Sequence, residues 1–239
     1  MNIVLLREND WISNDLVRVC DGRATHIRNV LQSAAGDVVR VGLLGGACGE
    51  GRIETLAENE VTLRVHLNAA PPARHRFDIV LALPRPKMLR RILRTAAEFG
   101  VDNLHLINSA RVEKSYWQSP LLHANKLDAA LEAGLERSMD TIAPKIHLHK
   151  RFRPFVEDEL SGVCAGRPCW LADKGAPTAL ADAAGAPAVV MIGPEGGFVP
   201  FEVQLASEVI ATPVHLGKRI LSVDTALTAV LAQALNGPL

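Results

Sequence analysis

Two glycine-bearing stretches near the C-terminus hold the residues best suited to binding chemistry. The first, Ile192-Gly193-Pro194-Glu195-Gly196-Gly197-Phe198, follows the apolar run Ala188-Val189-Val190-Met191-Ile192. A buried strand there would feed a turn whose glycines bare the backbone and whose one carboxylate is exposed. Backbone N–H and C=O groups at such a turn can read the polar edge of a planar ligand, an adenine for example. The pattern G-x-x-x-x-G-K-S/T is missing, and no G-x-G-x-x-G opens a helix with an acidic residue about twenty positions on, so neither ATP nor NAD is favoured. A plain tight turn is the alternative reading of this stretch taken alone. The second stretch, Leu216-Gly217-Lys218-Arg219-Ile220-Leu221-Ser222-Val223-Asp224-Thr225-Ala226, puts apolar, basic and capping residues in one connection. A third group, Arg85, Lys87, Arg90, Arg91 and Arg94, falls within ten residues and would attract phosphates, or else forms a solvated helix face.

These groups need a scaffold, and the hydrophobic pattern supplies one. The first seventy residues read as short strands (3–6, 38–44, 51–56 and 61–67) punctuated by glycines, with one helix from Arg23 to Ser33 carrying Ile27, Val30 and Leu31 on one face. A small β-barrel-like domain follows from that pattern. Asn68-Ala69-Ala70-Pro71-Pro72-Ala73 reads as a stiff joint. Beyond it strands and helices alternate: strand 77–83 stopped by Pro84, helix 87–99 ended by Gly100, strand 103–107, helix 126–139, strands 145–149, 168–172, 188–192 and 213–216, and a final helix from Thr225 to about Leu235. Residues 175–187 read as a loop with a short helix. Alternation of this kind predicts an α/β domain with a largely parallel sheet, whose ligands lie at the carboxyl ends of the strands. Ser222 or Asp224 is placed to cap the final helix, whose apolar run must be buried or packed against a partner.

At 239 residues the chain can bury a substantial core. Its net charge is zero, yet residues 1–73, 74–153 and 154–239 carry −2, +7 and −5, so the basic excess is local. No segment approaches the ~18 apolar residues of a membrane span, and a cytoplasmic location is expected. Cys20, Cys48, Cys164 and Cys169 form no C-x-x-C pair, so no disulfide is predicted. His147 and His149 alternate on a strand without a third ligand at suitable spacing, and no metal is expected. Trp117, beside Lys114 and Tyr116, is the one tryptophan placed to stack on a base.

With this order and spacing, the two stretches resemble the RsmE-type small-subunit ribosomal RNA methyltransferases of the SPOUT superfamily, whose patterns read I-G-P-E-G-G-F and L-G-x-R-I-L-R-x-E-T-A. The likeness extends over the chain: His26 with Val30-Leu31 and Gly36-Asp37 is similar to H-x-x-x-V-L-R-x-x-x-G, and Lys87 with Ala97-Glu98-Phe99-Gly100-Val101 is similar to K…(T/A)-E-L-G-V. Departures fall at Gln32, Ser222 and Asp224, where the family has arginine, arginine and glutamate, and at 136–140, where Arg137 and Asp140 lie in a segment unlike its E-Q-x-x-R.

The resemblance implies a PUA-like β-barrel domain over 1–70 and, over 74–239, an α/β domain tied in a deep trefoil knot, a topology that periodicity does not reveal. It implies S-adenosyl-L-methionine held by Leu171, Ile192, Gly193, Pro194, Glu195, Gly196, Gly197, Leu216, Gly217, Ile220, Leu221, Ser222, Thr225 and Ala226. It implies RNA contact through His26, Arg28, Arg85, Lys87, Arg90, Arg91 and Arg94, and a homodimer that completes the site. The implied reaction is methylation of N3 of a uridine in the decoding region of 16S ribosomal RNA, within the assembled 30S subunit. Arg219 is the candidate for orienting or stabilising the anionic base, and no residue is named as general base. Two rivals are a methyltransferase of this fold acting on another RNA or a ribose 2′-hydroxyl, and an RNA-binding paralogue without catalysis.

Overall fold

The structure is a computed structural model that describes residues 2–183 and 187–235. The chain divides into two compact units. One is the chain up to Pro72 together with Glu132–Ala143, and the other is Ala73–Leu131 with the chain from Pro144 onward.

The first unit contains β1 (Val4–Leu6), β2 (Leu16–Val19), α1 (Gly22–Asn29), β3 (Val38–Leu43), β4 (Cys48–Leu56) and β5 (Val61–Ala69). Its strands form one mixed sheet in the order β1-β3-β4-β5-β2, with β1 parallel to β3 and the other pairs antiparallel. Alternation fills the core: Val61, Leu63 and Val65 of β5 meet Val17, Val19, Val39, Val41 and Ile53. Asp21 caps α1 by accepting from the Arg23 N–H at 2.9 Å. The buried Arg23 guanidinium then reaches Asp10 at 2.6 Å and the Leu5 carbonyl at 2.6 Å.

Three expectations change here. α1 ends at Asn29 rather than Ser33, and Gln32 takes a left-handed φ of 53°, so of the expected apolar face only Ile27 is buried while Val30 and Leu31 are exposed. β4 starts at Cys48 because Gly49 and Gly51 lie inside the strand; a Cβ on Gly49 would collide with the His66 carbonyl of β5. β2 was not anticipated, and β5 runs on to Ala69, into the expected joint.

The second unit contains β6 (Phe77–Ala82), α2 (Pro86–Glu98), β7 (Asn103–Ile107), the start of α3 (Ala124–Ser138), β8 (Lys145–His149) and a continuous helical stretch over 152–164. That stretch comprises α4 (Phe152–Pro154), a π-helical turn (Phe155–Glu159) and α5 (Leu160–Cys164). Then come β9 (Cys169–Ala172), α6 (Leu180–Ala183), β10 (Ala188–Ile192), α7 (Pro200–Val209), β11 (Ala211–Val214) and α8 (Val223–Ala232). All six strands are parallel, in the order β11-β9-β10-β6-β7-β8. β6 and β10 are buried at every position, as unbroken apolar runs in a covered parallel sheet should be.

α2 begins with Pro86 at its first turn and ends before Gly100, whose φ of 70° turns the chain. The helices at 152–164 and α7 were not expected, and β11 lies at Ala211–Val214 rather than 213–216. The short helix expected within 175–187 is α6; residues 184–186 lie outside the described ones. The apolar run of α8 is buried within its own unit, where Val223, Leu227, Val230 and Leu231 sit in a helix packed on α2 and β10. Among the described residues no helix is long and apolar enough to cross a membrane.

Candidate cofactor cavity

A cavity of about 580 Å³ opens at the carboxyl ends of β9, β10 and β11. That volume suits a small-molecule ligand, and its position is where open parallel sheets bind ligands. Two loops wall it. One follows β10 and contributes Ile192 to Phe198; the other follows β11 and contributes Leu216, Gly217, Arg219, Ile220 and Leu221. Ala172 at the end of β9, Asp173 and Lys174 after it, Pro200 and Val203 of α7, Val223 and Ala226 of α8, and Arg111 also line it.

The first wall is heavily tied. A Cβ on Gly193 would sit 2.9 Å from the Phe198 backbone nitrogen, so the turn closes this tightly only around glycine. Gly197 takes φ 72°, in the left-handed region, and its N–H donates to the Pro194 carbonyl at 2.8 Å. Arg85 pairs with Glu195, Nε to Oε1, at 3.4 Å. Arg111 donates from Nη1 to the carbonyls of Gly196 and Gly197. Just beyond the turn, the buried Glu202 of α7 accepts from the Val199 N–H, the Ala110 N–H and the Ser109 hydroxyl at 3.0, 2.7 and 3.0 Å.

The second wall is lightly tied. Gly217 has φ 105° and its N–H donates to His215 Nδ1 at 3.1 Å. Lys218 and Arg219 are exposed, and Ile220 is 79% exposed. At its far end Ser222 occupies the N-cap of α8, but its hydroxyl bonds side chains, Asp224 Oδ1 at 2.6 Å and Thr225 Oγ1 at 2.8 Å. Asp224 also pairs with Arg91 at 2.9 Å. The Ser222 hydroxyl first, and the Arg91 guanidinium behind it, hold the Asp224 carboxyl below the usual carboxylate range.

Most residues expected at a cofactor site therefore meet around one cavity: Ile192 through Gly197, Leu216, Gly217, Ile220, Leu221 and Ala226, with Arg219 beside them. Leu171 lies fully buried in β9, and Ser222 and Thr225 are exposed at the start of α8; none of the three lines the cavity. Of the basic stretch, Arg85 and Arg91 are engaged with Glu195 and Asp224, Lys87 and Arg90 are exposed, and Arg94 is half-buried. His26 and Arg28 are half-buried on α1 of the first unit. The loop near 171–175 that the resemblance implies reaches the cavity through Asp173 and Lys174, while sequence reading missed Arg111 and Glu202. Only Glu202 had a signal, a glutamate at the third position of a helix opened by Pro200.

The histidines form a separate cluster. His105 stacks on His147 with ring centroids 4.3 Å apart, and its Nδ1 lies 3.1 Å from His149 Nε2. His149 Nδ1 lies 3.1 Å from Glu159. Burial, then the neighbouring His147 and His149, push His105 down to about 4. Trp117 Nε1 donates to Asn108 Oδ1 at 3.0 Å, in a short turn of helix over 114–118.

Comparisons with known proteins establish the family. The family model of the RNA methyltransferase domain matches residues 71–235. A ribosomal RNA small subunit methyltransferase E from Treponema pallidum is 32% identical, over 98% of this chain and 91% of that protein. A ribosomal RNA small subunit methyltransferase E 1 from Borreliella burgdorferi is 24% identical, over 96% and 95%. The crystal structure of a ribosomal RNA small subunit methyltransferase E from Neisseria gonorrhoeae, bound to S-adenosyl methionine, shares the fold with a TM-score of 0.76 at 21% identity, over 97% of this chain and 95% of that one. With the match spanning more than half the chain and the Treponema relative aligned along nearly all of it, the chain belongs to the RNA methyltransferase domain family, in the RsmE-type group.

Proposed function

We propose that this protein transfers a methyl group from S-adenosyl-L-methionine to N3 of a uridine in the decoding region of 16S ribosomal RNA, within the assembled small subunit. One observation carries the reading: the two loops singled out in the sequence wall the same cavity of about 580 Å³, with Arg219 among its lining residues. The cavity fits the donor. Ile192, Leu216, Leu221 and Ala226 offer apolar surface to a flat base, and the tight glycine turn brings backbone polar groups to its edge. When bound, the donor supplies an electrophilic methyl group on sulfur. The chain's own residues hold it in line with the incoming nitrogen. In this reading N3 releases its proton to solvent at the open cavity and Arg219 stabilises the charge left on uracil. Glu195, engaged with Arg85, shapes the donor turn rather than acting as base. A paired base hides N3, so the target uridine must be unpaired or extruded. Lys87 and Arg90, exposed on α2, and His26 and Arg28 on α1 hold RNA phosphates for positioning.

The same reading takes the first unit as a PUA-like RNA-binding domain, over 1–70, and residues 74–239 as a SPOUT domain with a knotted C-terminal chain. Support for the knot is that β11 pairs with β9 while His215 hydrogen-bonds the backbone at Thr178 and Leu180. It also takes the protein as a cytoplasmic homodimer. Ile220, 79% exposed, and Phe201, 54% exposed, are apolar surface near the cavity that a second copy would cover.

The test is methyl transfer from labelled S-adenosylmethionine to small subunits and to naked 16S RNA, both lacking the modification, with the product located by mass spectrometry. The expected result is N3-methyluridine formed on subunits in preference to naked RNA. Label at a ribose hydroxyl or on another RNA would overturn the substrate assignment. RNA binding without any transfer would identify a paralogue that has lost catalysis.

A further inference from the structure

Glu202 is a carboxylate that the proposed chemistry does not use, yet it is only 3% exposed. A charge is buried at such a place only if its oxygens are satisfied. Here both are: Oε1 accepts from the Ala110 N–H, and Oε2 accepts from the Ser109 hydroxyl and the Val199 N–H. The bond to Val199 belongs to the start of α7, where a glutamate at this position commonly closes the helix N-terminus. The other two have no part in that helix. They reach a loop 92 and 93 residues away in the chain.

What that loop carries is Arg111, the residue after Ala110. Its side chain is exposed, so burial does not hold it in place. It nevertheless lies on the cavity wall and donates to the carbonyls of Gly196 and Gly197. A closed circuit results: the glycine turn leads through Val199 to Glu202, across to Ala110 and Arg111, and back to the turn. A Cβ on Gly196 would lie 2.8 Å from Arg111 Cδ, so the two segments are in close contact as well as bonded.

We infer that Arg111 and Glu202 are positioning residues that hold the Gly193–Gly197 turn in its donor-binding shape, an inference that rests on the S-adenosylmethionine reading above. Neither touches the reacting atoms. Glu202 sets the loop, and Arg111 transmits that setting to the turn's two carbonyls. The consequence is a specific kinetic pattern: loss of either residue raises the donor's KM and leaves kcat at saturating donor close to that of the parent.

The experiment is calorimetry of the full chain with S-adenosylhomocysteine, with thermal melting alongside, for the parent, Arg111→Ala, Arg111→Lys, Glu202→Gln and the double variant Arg111→Ala/Glu202→Gln. Arg111→Ala is expected to lose about tenfold in affinity, the scale of a hydrogen bond to a charged group, with Tm unchanged because the side chain is exposed. Arg111→Lys recovers part of the loss, since a lysine keeps N–H donors but not the planar fork. Glu202→Gln also loses affinity, and its effect shrinks in the Arg111→Ala background because both act on one turn. Parent-like affinity in Arg111→Ala, or strictly additive losses in the double variant, overturns the inference while leaving the donor site standing. A parent protein that does not bind S-adenosylhomocysteine overturns the donor reading and this inference together.

Discussion

The two walls of the cavity are built on opposite plans. The turn after β10 is held from three directions, by Arg85 on Glu195, by Arg111 on two carbonyls and by Glu202 on Val199. The loop after β11 presents Lys218, Arg219 and Ile220 to solvent and has one backbone N–H anchored on His215. A wall that binds a small constant ligand gains from being preorganised, because no ordering entropy is then lost on binding. A wall that meets a large substrate can leave its contacts to form on encounter. Under the proposed function, the braced turn gives the donor a preformed wall, while the free loop, which lines the same cavity, also carries the Arg219 proposed to meet the acceptor.

Gly193→Ala is the harshest way to break the contrast. Its Cβ would meet backbone rather than a flexible side chain, so the turn itself must move. S-adenosylhomocysteine affinity should fall by at least about a hundredfold, the scale on which small misplacements act in preorganised sites. Parent-like calorimetric binding would mean that the braced wall does not hold the donor. Gly196→Val attacks the same wall more gently, because the atom it meets first belongs to the movable Arg111 side chain.

Arg219→Ala should do the reverse. Single-turnover methyl transfer is expected to slow by about ten- to a hundredfold, less than the loss of a buried oxyanion donor because this guanidinium is exposed, with donor affinity within about twofold of the parent. Equal losses in both measurements would erase the division of labour between the walls.

The histidine cluster supplies the smallest effect on the site, and so a control. Folding holds His105 at about 4, below its ordinary 6.5. Between those values the unfolded chain binds the extra proton and the folded one does not, so stability falls as pH drops from about 6.5 to about 4 and is level above that window. The loss amounts to about 3 kcal/mol. Glu159 beside His149 and Asp78 and Arg167 near His105 are the charged groups that face the cluster. Urea melts across this range should show the decline, and His105→Asn should flatten it without altering donor affinity at pH 7.5. A decline of unchanged size in that variant would assign it to another group.

Much of this was legible in the chain, for reasons that differ by residue. The parallel core was readable because β6 and β10 are continuous apolar runs, a pattern that fully covered strands require. The cavity's two loops were readable because glycines there answer to backbone needs, a near-collision at Gly193 and left-handed φ at Gly197 and Gly217. The same letters misled in the first unit: Gly49 and Gly51 suggested turns, but they sit in β4 where neighbouring groups press close. Arg111 was invisible, because its partners are carbonyls 85 and 86 residues further along and no local spacing encodes them. α8 was read as buried or packed against a partner, and the first holds for most of its apolar face, which α2 and β10 cover.

The hydrogen bond from Ser222 to Asp224, with Arg91 also on that carboxylate, ties together two positions that depart from the family pattern. Positions 222 and 224 both depart from the arginine and glutamate of the family pattern, and here they touch. The two departures are therefore coupled through one hydrogen bond. Putting arginine back at 222 alone would take the hydroxyl from Asp224 and bring a second guanidinium toward the carboxylate that Arg91 already holds. A change at either position is thus felt at the other and at Arg91, on the start of α8 and apart from the contacts that brace the turn after β10.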